Sequence, residues 1–394
     1  MAWMIREDKL DPDQKDFIND ELKKIGNIWI KGFAGSGKSV LLVYSLKNII
    51  QREPDAKIAI VLYTHSLIDM FKTGMQELDL PSSIPVITYY QFCKRVEIYD
   101  YIFCDEVQDL PTRALDEMNK RARKKIIVAG DSNQSIYDKD PCWEEPVVNP
   151  EQIGNIINAR PFALNIIHRL TRSIINAVQK ILPTTNIWGA KRDLTKIDTN
   201  IRLCEASNEE EEVKYIYKEA LKGAGVGEFS AIIFPKTISI TKFAKSILIA
   251  NGKSEWNEKR NEYGKTDFGD LNDHFRKSGI KLQFLGKGYG SLKKVEQNKD
   301  VILMTYQSAK GLDFDNVFLP FLNINFSLYP SSKKEILFMV GMTRSKKNLY
   351  LTYSGKNHGW IDVLKSLSDS CTPISIPYIL NQQKNNDCNN DFDF

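Results

Sequence analysis

The stretch Gly32-Phe33-Ala34-Gly35-Ser36-Gly37-Lys38-Ser39 fits the pattern G-x-x-x-x-G-K-[ST] and constrains the chain more than any other. The apolar run Ile28-Trp29-Ile30 before it predicts a short buried strand, and Val40 to Leu46 after it predicts a helix. Strand, glycine-rich turn and helix N-terminus together make an anion site. The glycines let backbone N–H groups converge, and the helix dipole adds partial positive charge at the same point. In such a site Lys38 reaches the β- and γ-phosphates of a nucleotide and Ser39 ligates Mg²⁺. The alternative is a glycine-rich turn with a chance lysine, and the flanking elements weigh against it.

Downstream, the apolar residues of Tyr99 to Cys104 lead into Asp105-Glu106. Adjacent carboxylates at a strand end can divide the work: Asp105 holds the Mg²⁺ shell and Glu106 takes a proton from an attacking water. Ile126 to Ala129 predicts another buried strand, after which Gly130-Asp131 turns the chain and places Gln134 to sense a γ-phosphate or orient water. Near the start, Asp11 is a candidate N-cap with Pro12 in the first turn. Gln14 in that helix offers a donor and an acceptor side by side, which suits the edge of adenine. Read alone, a solvated helix glutamine is the simpler account. The basic run Lys120 to Lys125 reads as a solvated helix face rather than a nucleic-acid patch.

Strand-like and helix-like segments alternate along the chain, and near-continuous apolar runs such as Lys57 to Thr64 suit parallel strands buried on both faces. This is an α/β pattern, and 394 residues leave room for two or three domains. Pro141, Pro146, Pro150 and Pro161 place a link there, dividing a domain over 1–150 from one over 151–376. Residues 252–298 read as an insertion, and the asparagine-rich end, 377–394, as a disordered tail. The net charge of +4 is compatible with nucleic acid but does not argue for it alone. The N-terminus lacks an apolar signal core, and six scattered cysteines without a C-x-x-C pair read as reduced thiols of a cytoplasmic protein without structural zinc or an iron–sulfur cluster.

From about Asp11 to Tyr353 the motifs stand in an order that resembles the UvrD/Rep-like superfamily 1 helicases. The resemblance implies two RecA-like P-loop domains, each a mainly parallel sheet flanked by helices, with ATP and Mg²⁺ in the cleft between them. It implies a motor on single-stranded DNA with 3′-to-5′ polarity. Gln14 matches the adenine-reading glutamine. The nucleotide-binding set is Gln14, Gly32, Ala34, Gly35, Ser36, Gly37, Lys38, Ser39, His168, Gly311 and Asp313, with Ser39 and Asp105 on the metal. Lys38, Glu106, Gln134, Arg169 and Arg344 match the catalytic positions, both arginines coming from the second domain to the γ-phosphate.

His168 replaces the tyrosine that stacks on the base, Gln307 the usual histidine and Asp313 the usual glutamate. Tyr137 is followed by Asp138-Lys139-Asp140-Pro141 instead of the family's stacking aromatic, so Tyr89 and Tyr90 become candidates for that role, with core packing as their alternative. Only a few residues separate Cys93 from the strand before Asp105, where the family inserts an accessory domain. The competing expectation is therefore an ATP-switched, nucleic-acid-binding subunit of a nuclease-linked defence or repair complex, with a protein partner supplying what is missing.

Overall fold

The computed structural model describes residues 3–183 and 197–377, together with the backbone of 191–192. The first sheet comprises β1 (Asn27–Gly32), β2 (Ile58–Leu62), β3 (Val86–Thr88), β4 (Tyr99–Cys104), β5 (Ala122–Gly130) and β6 (Ala159–Leu164). Their order is β3-β2-β4-β5-β1-β6, and every pairing is parallel. Every residue of β2, Ile58-Ala59-Ile60-Val61-Leu62, is buried, as a strand covered by helices on both faces requires. Helix α1 (Pro12–Asn19) leads into the sheet, α2 (Lys38–Arg52) follows the glycine-rich turn, and α3 (His65–Glu77) follows β2. Helix α2 buries Leu41, Leu42, Leu46 and Ile49, each worth about 1.5–3 kcal/mol against leaving it in water.

The first sheet takes in more chain than its prolines suggested. Residues 159–164 pair with β1 along their whole length, so the division expected at 150 falls beyond Leu164. Pro161 misled because proline lacks the N–H of a ladder donor. It is tolerated here because β6 is an edge strand. A two-stranded ribbon, β7 (Ile166–Ile167) with β8 (Lys191–Arg192), comes next.

The second sheet comprises β9 (Asn200–Ala206), β10 (Ser230–Phe234), β11 (Leu282–Phe284), β12 (Val301–Thr305), β13 (Phe314–Leu319), β14 (Ser345–Ser354) and β15 (Cys371–Ser375). Its order is β11-β12-β10-β13-β14-β9-β15, again parallel throughout. Residues 252–298 are no insertion of their own. They supply a helix at Phe268–Ser278, the edge strand β11 and a helix at Leu292–Asn298. The buried Phe268, Leu271 and Phe275 mark one helical face that the surrounding Lys, Asn and Gly obscured. The expected tail lies, from residue 378 on, outside the described residues.

The basic run is also not a solvated helix face. The helix Thr112–Arg121 ends inside it and β5 begins. Arg121 donates to the Phe92 carbonyl at 2.6 Å, and Lys124 pairs with Glu53 at 2.6 Å. Buried Lys125 donates to the carbonyls of Leu22 and Lys24 at 2.6 and 2.7 Å. No described helix is long and apolar enough to cross a membrane. One apolar cluster is continuous from Phe17 and Ile30 through Leu67 and Leu170 to Leu312 and Leu351, so the two lobes pack against each other.

Candidate nucleotide-binding cleft

Parallel strands deliver their following loops to one edge, and such edges are where α/β sheets bind ligands. The turn after β1 adopts the expected form. Gly35 has φ +76° and Gly37 φ +82°, a region other L-residues avoid. Side-chain atoms would also collide there: a Cβ on Gly35 would meet Arg169, and one on Gly37 would meet the Gln14 amide. Gly37 caps α2, whose first residue is Lys38. The lysine folds back, its Nζ donating to the carbonyls of Gly32 and Phe33 at 2.9 and 3.0 Å. Ser36 is buried with its Oγ unpartnered. Asp11 caps α1, and Gln14 completes a capping box with it. The Gln14 amide also donates to the Ser36 carbonyl at 3.3 Å. Gln14 is therefore a buried part of the turn and not a solvated helix residue.

Behind the turn, Ser39 Oγ donates to Asp105 Oδ2 at 2.5 Å. Two hard oxygen donors meet there, the kind Mg²⁺ takes alongside substrate phosphates. Burial and the neighbouring Glu106 push Asp105 up to about 6, against Ser39 and Lys38, which pull it down. Glu106 holds φ +54°, an uncommon backbone conformation for a residue with a Cβ. Gln108 fixes it by donating to Glu106 Oε2 at 2.6 Å, while accepting the Asp131 N–H at 3.2 Å. Burial alone would raise Glu106, but Lys310, Lys38, Gln108 and Arg344 outweigh it and hold the carboxyl below its ordinary value. These neighbours favour its ionised form.

The opposite wall comes from the chain after β6. The His168 N–H donates to the Gly35 carbonyl at 2.9 Å, and its Nε2 lies 2.6 Å from Asp11 Oδ2. Arg169 pairs with Asp313, and its Nε is buried without a partner. The resemblance put Arg169 on the second domain. It stands instead on the connector after β7, packed on the glycine-rich turn, because β6 belongs to the first sheet. Arg344 is 1% exposed. It donates to the carbonyls of Val340 and Leu312 at 2.9 and 3.2 Å and to Thr343 Oγ1 at 3.0 Å. Burial and then Arg169 lower it to about 9. Three of its five N–H donors are used, leaving two.

A cleft of about 350 Å³ joins these walls. Gln14, Ala34, Gly35, Gly37, Lys38, Ser39, Glu106 and Gln134 line one side, and His168, Arg169, Gly311, Asp313 and Arg344 the other. Gly32, Ser36 and Asp105 stand one layer behind, where they shape the turn and hold Ser39. Sequence reasoning left Lys310 out of the site. It is 3% exposed and crosses from the second lobe to bond Asp109 and the Gln134 carbonyl, with Glu106 Oε2 at 3.5 Å. The signal was available as a lysine three residues before Asp313 in the motif after β12. Its acidic partners could not be foreseen without the fold.

The aromatic candidates divide. Tyr89 is core: buried, stacked at 5.2 Å on Tyr63, with its hydroxyl on Asp140. Tyr90 is half-buried beside Trp143, ring centres 5.3 Å apart, with the Lys94 ammonium 4.1 Å from its ring centre. Asp140 bends the chain after Tyr137 by accepting the N–H groups of Cys142 and Trp143 at 3.0 and 2.8 Å, which is how Trp143 reaches Tyr90.

Comparisons with known proteins find sequence similarity to superfamily 1 helicases. The UvrD-like helicase C-terminal domain model matches residues 279–356, and that of the viral superfamily 1 RNA helicase core domain matches 28–148. The ATP-dependent DNA helicase PcrA of Staphylococcus epidermidis is 27% identical over 240 residues, which cover 54% of this chain and 31% of that protein. Its Staphylococcus aureus counterpart is 25% identical over the same shares. The chain thus spans less than a third of the length of the curated relatives it matches. Among solved structures, the PRRSV helicase has a TM-score of 0.42 at 13% identity, covering 83% of this chain and 52% of that one. The Arterivirus nonstructural protein 10 helicase has a TM-score of 0.42 at 14% identity, covering 84% and 63%.

Proposed function

We propose that this chain, which belongs to the UvrD/Rep-like superfamily 1, hydrolyses ATP between its two lobes and uses the cycle to step along single-stranded DNA. One observation carries the reading: the glycine-rich turn and buried Glu106 line a single cleft together with Arg169, which packs on the turn, and Arg344 from the second lobe. A triphosphate bound there takes the Gly35 and Gly37 backbone, the α2 N-terminus and Lys38 from one wall, and guanidinium donors from the other. Lys38 is held by two carbonyls and exchanges them for phosphate oxygens. Ser39 and Asp105 would hold Mg²⁺, which when bound offsets charge on the phosphate oxygens.

Glu106 takes a proton from water as the water oxygen bonds to the γ-phosphorus. The bond to the β–γ bridging oxygen breaks, and ADP leaves with that electron pair. Gln134 orients the water. The spare donors of Arg169 and Arg344 meet the charge that develops on the transferred group. Because both walls grip one ligand, the lobes close on ATP and part after hydrolysis. Tyr90 and Trp143, with Lys94, supply a stacking surface for bases, each worth about 1–3 kcal/mol.

Phosphate release measured with and without single-stranded DNA tests the reading. Stimulation by the strand is expected. A rate that DNA leaves unchanged, with nucleotide-dependent capture of a partner protein, supports the switch-subunit reading instead. Tailed duplexes of each polarity then report direction and unwinding.

A further inference from the structure

The two side chains closing the cleft beyond Gly37 are held by one carboxylate. Asp11 keeps only 7% of its side chain exposed, and both of its oxygens are used. Oδ1 accepts the Gln14 N–H at 2.8 Å, and Oδ2 accepts from His168 Nε2 at 2.6 Å. A carboxylate can only accept, so Nε2 carries the imidazole proton. In return Gln14 Oε1 accepts the Asp11 N–H at 3.1 Å, and Gln14 Nε2 donates to the Ser36 carbonyl at 3.3 Å. A carboxamide has two N–H groups and two lone pairs, so these bonds leave one donor and one acceptor side by side. They also fix which way round the pair faces. Adenine offers an acceptor beside an amino donor and matches it, whereas guanine offers two acceptors on the same edge and does not.

We propose that Asp11 is the positioning residue for base selection. Through the helix cap it holds the first turn of α1, in which the Asp11 N–H and the Ser36 carbonyl orient the Gln14 amide, and through His168 it sets the ring on which the base stacks. This rests on the ATP-hydrolysing reading above. His168 is anchored to the turn as well, by its N–H on the Gly35 carbonyl, so α1, the turn and His168 are tied together beside the base.

The experiment titrates N-methylanthraniloyl (mant)-ATP and mant-GTP into the full chain and into Asp11→Ser, His168→Tyr, their double variant and Asp11→Ala. Serine keeps the N-cap but is too short to reach the imidazole. Losing that hydrogen bond weakens mant-ATP about 3–10-fold and raises KM for ATP more than it lowers kcat. Tyrosine stacks without a carboxylate partner, so adding Asp11→Ser to His168→Tyr costs less than about 2-fold. Asp11→Ala also removes the N-cap, loosening the first turn of α1 that presents the Gln14 amide, and the preference for adenine over guanine narrows about 10-fold. Thermal melts accompany each titration. Equal losses from Asp11→Ser in both backgrounds overturn the proposal. So does an unchanged base preference in Asp11→Ala, or a lowered melting temperature with unchanged affinity. An unmodified chain that binds neither nucleotide overturns the ATP reading and this one together. One that binds mant-ATP with an affinity indifferent to Asp11 overturns only this one.

Discussion

Lys310→Met removes the charge that crosses the cleft while keeping most of the side-chain volume. Asp109 and Glu106 then stay buried beside a thioether. At the 3.5 Å separation from Glu106, and an effective dielectric of about 20, the lost attraction is about 5 kcal/mol. Recovered lysine desolvation offsets part of that, and removing one partner of a buried pair costs about 3–5 kcal/mol. Domains are stable by only about 5–15 kcal/mol, so the change is large.

Burial already raises Asp109 to about 6, and removing Lys310 raises it further. A group whose folded value lies above its unfolded one loses stability as pH rises through the folded value. The Lys310→Met deficit should therefore be small near pH 4 and grow as pH rises past about 6. Urea unfolding followed by tryptophan fluorescence should show the midpoint falling by about 1 M or more at pH 8. Adding Asp109→Asn removes one orphaned carboxylate and keeps an oxygen for the Ile136 N–H, now 3.2 Å from Asp109, so part of the loss returns. Strict additivity of the two substitutions, within about 0.5 kcal/mol, would refute the tie. So would a Lys310→Met midpoint equal to that of the unmodified chain.

Glu106→Gln should abolish steady-state hydrolysis, by at least about 10²-fold, while mant-ATP still binds; retained phosphate release would remove Glu106 as the base. Arg344→Ala should lower kcat by about 10³-fold or more with a smaller change in nucleotide affinity, and Arg344→Lys should not restore it, because a lysine lacks the planar fork. Gly37→Ala forces a Cβ into the left-handed region against the Gln14 amide, costing at least about 1–2 kcal/mol by thermal melt and weakening mant-ATP. Tyr90→Ala should lower the DNA-stimulated ATPase rate more than the unstimulated one, measured at fixed salt because strand binding is salt-dependent.

The chain's local chemistry was legible wherever it acts over a few residues. The strand–turn–helix around Gly32 to Ser39, the Asp11 cap and the apolar strands all depend on neighbours in sequence. The parallel α/β class follows from the same runs. Positions where a local rule was outvoted were misread: Pro161 inside an edge strand, the helix of Phe268 and Phe275 among polar residues, and a basic run divided between a helix end and the start of β5.

Pairing across the chain was out of reach, because a side chain's partner is set by which strands lie adjacent and not by its own type. The residue sequence determined that a phosphate turn and an acidic strand end exist. Only the tertiary structure decided that Lys310 is buried among Asp109, Glu106 and the Gln134 carbonyl, that Arg169 stands on the connector, and that Asp11 holds Gln14 and His168 together. The reason is physical: backbone preferences act within a few bonds, whereas burying a charge forces the fold to bring its counter-charge from wherever the chain carries it.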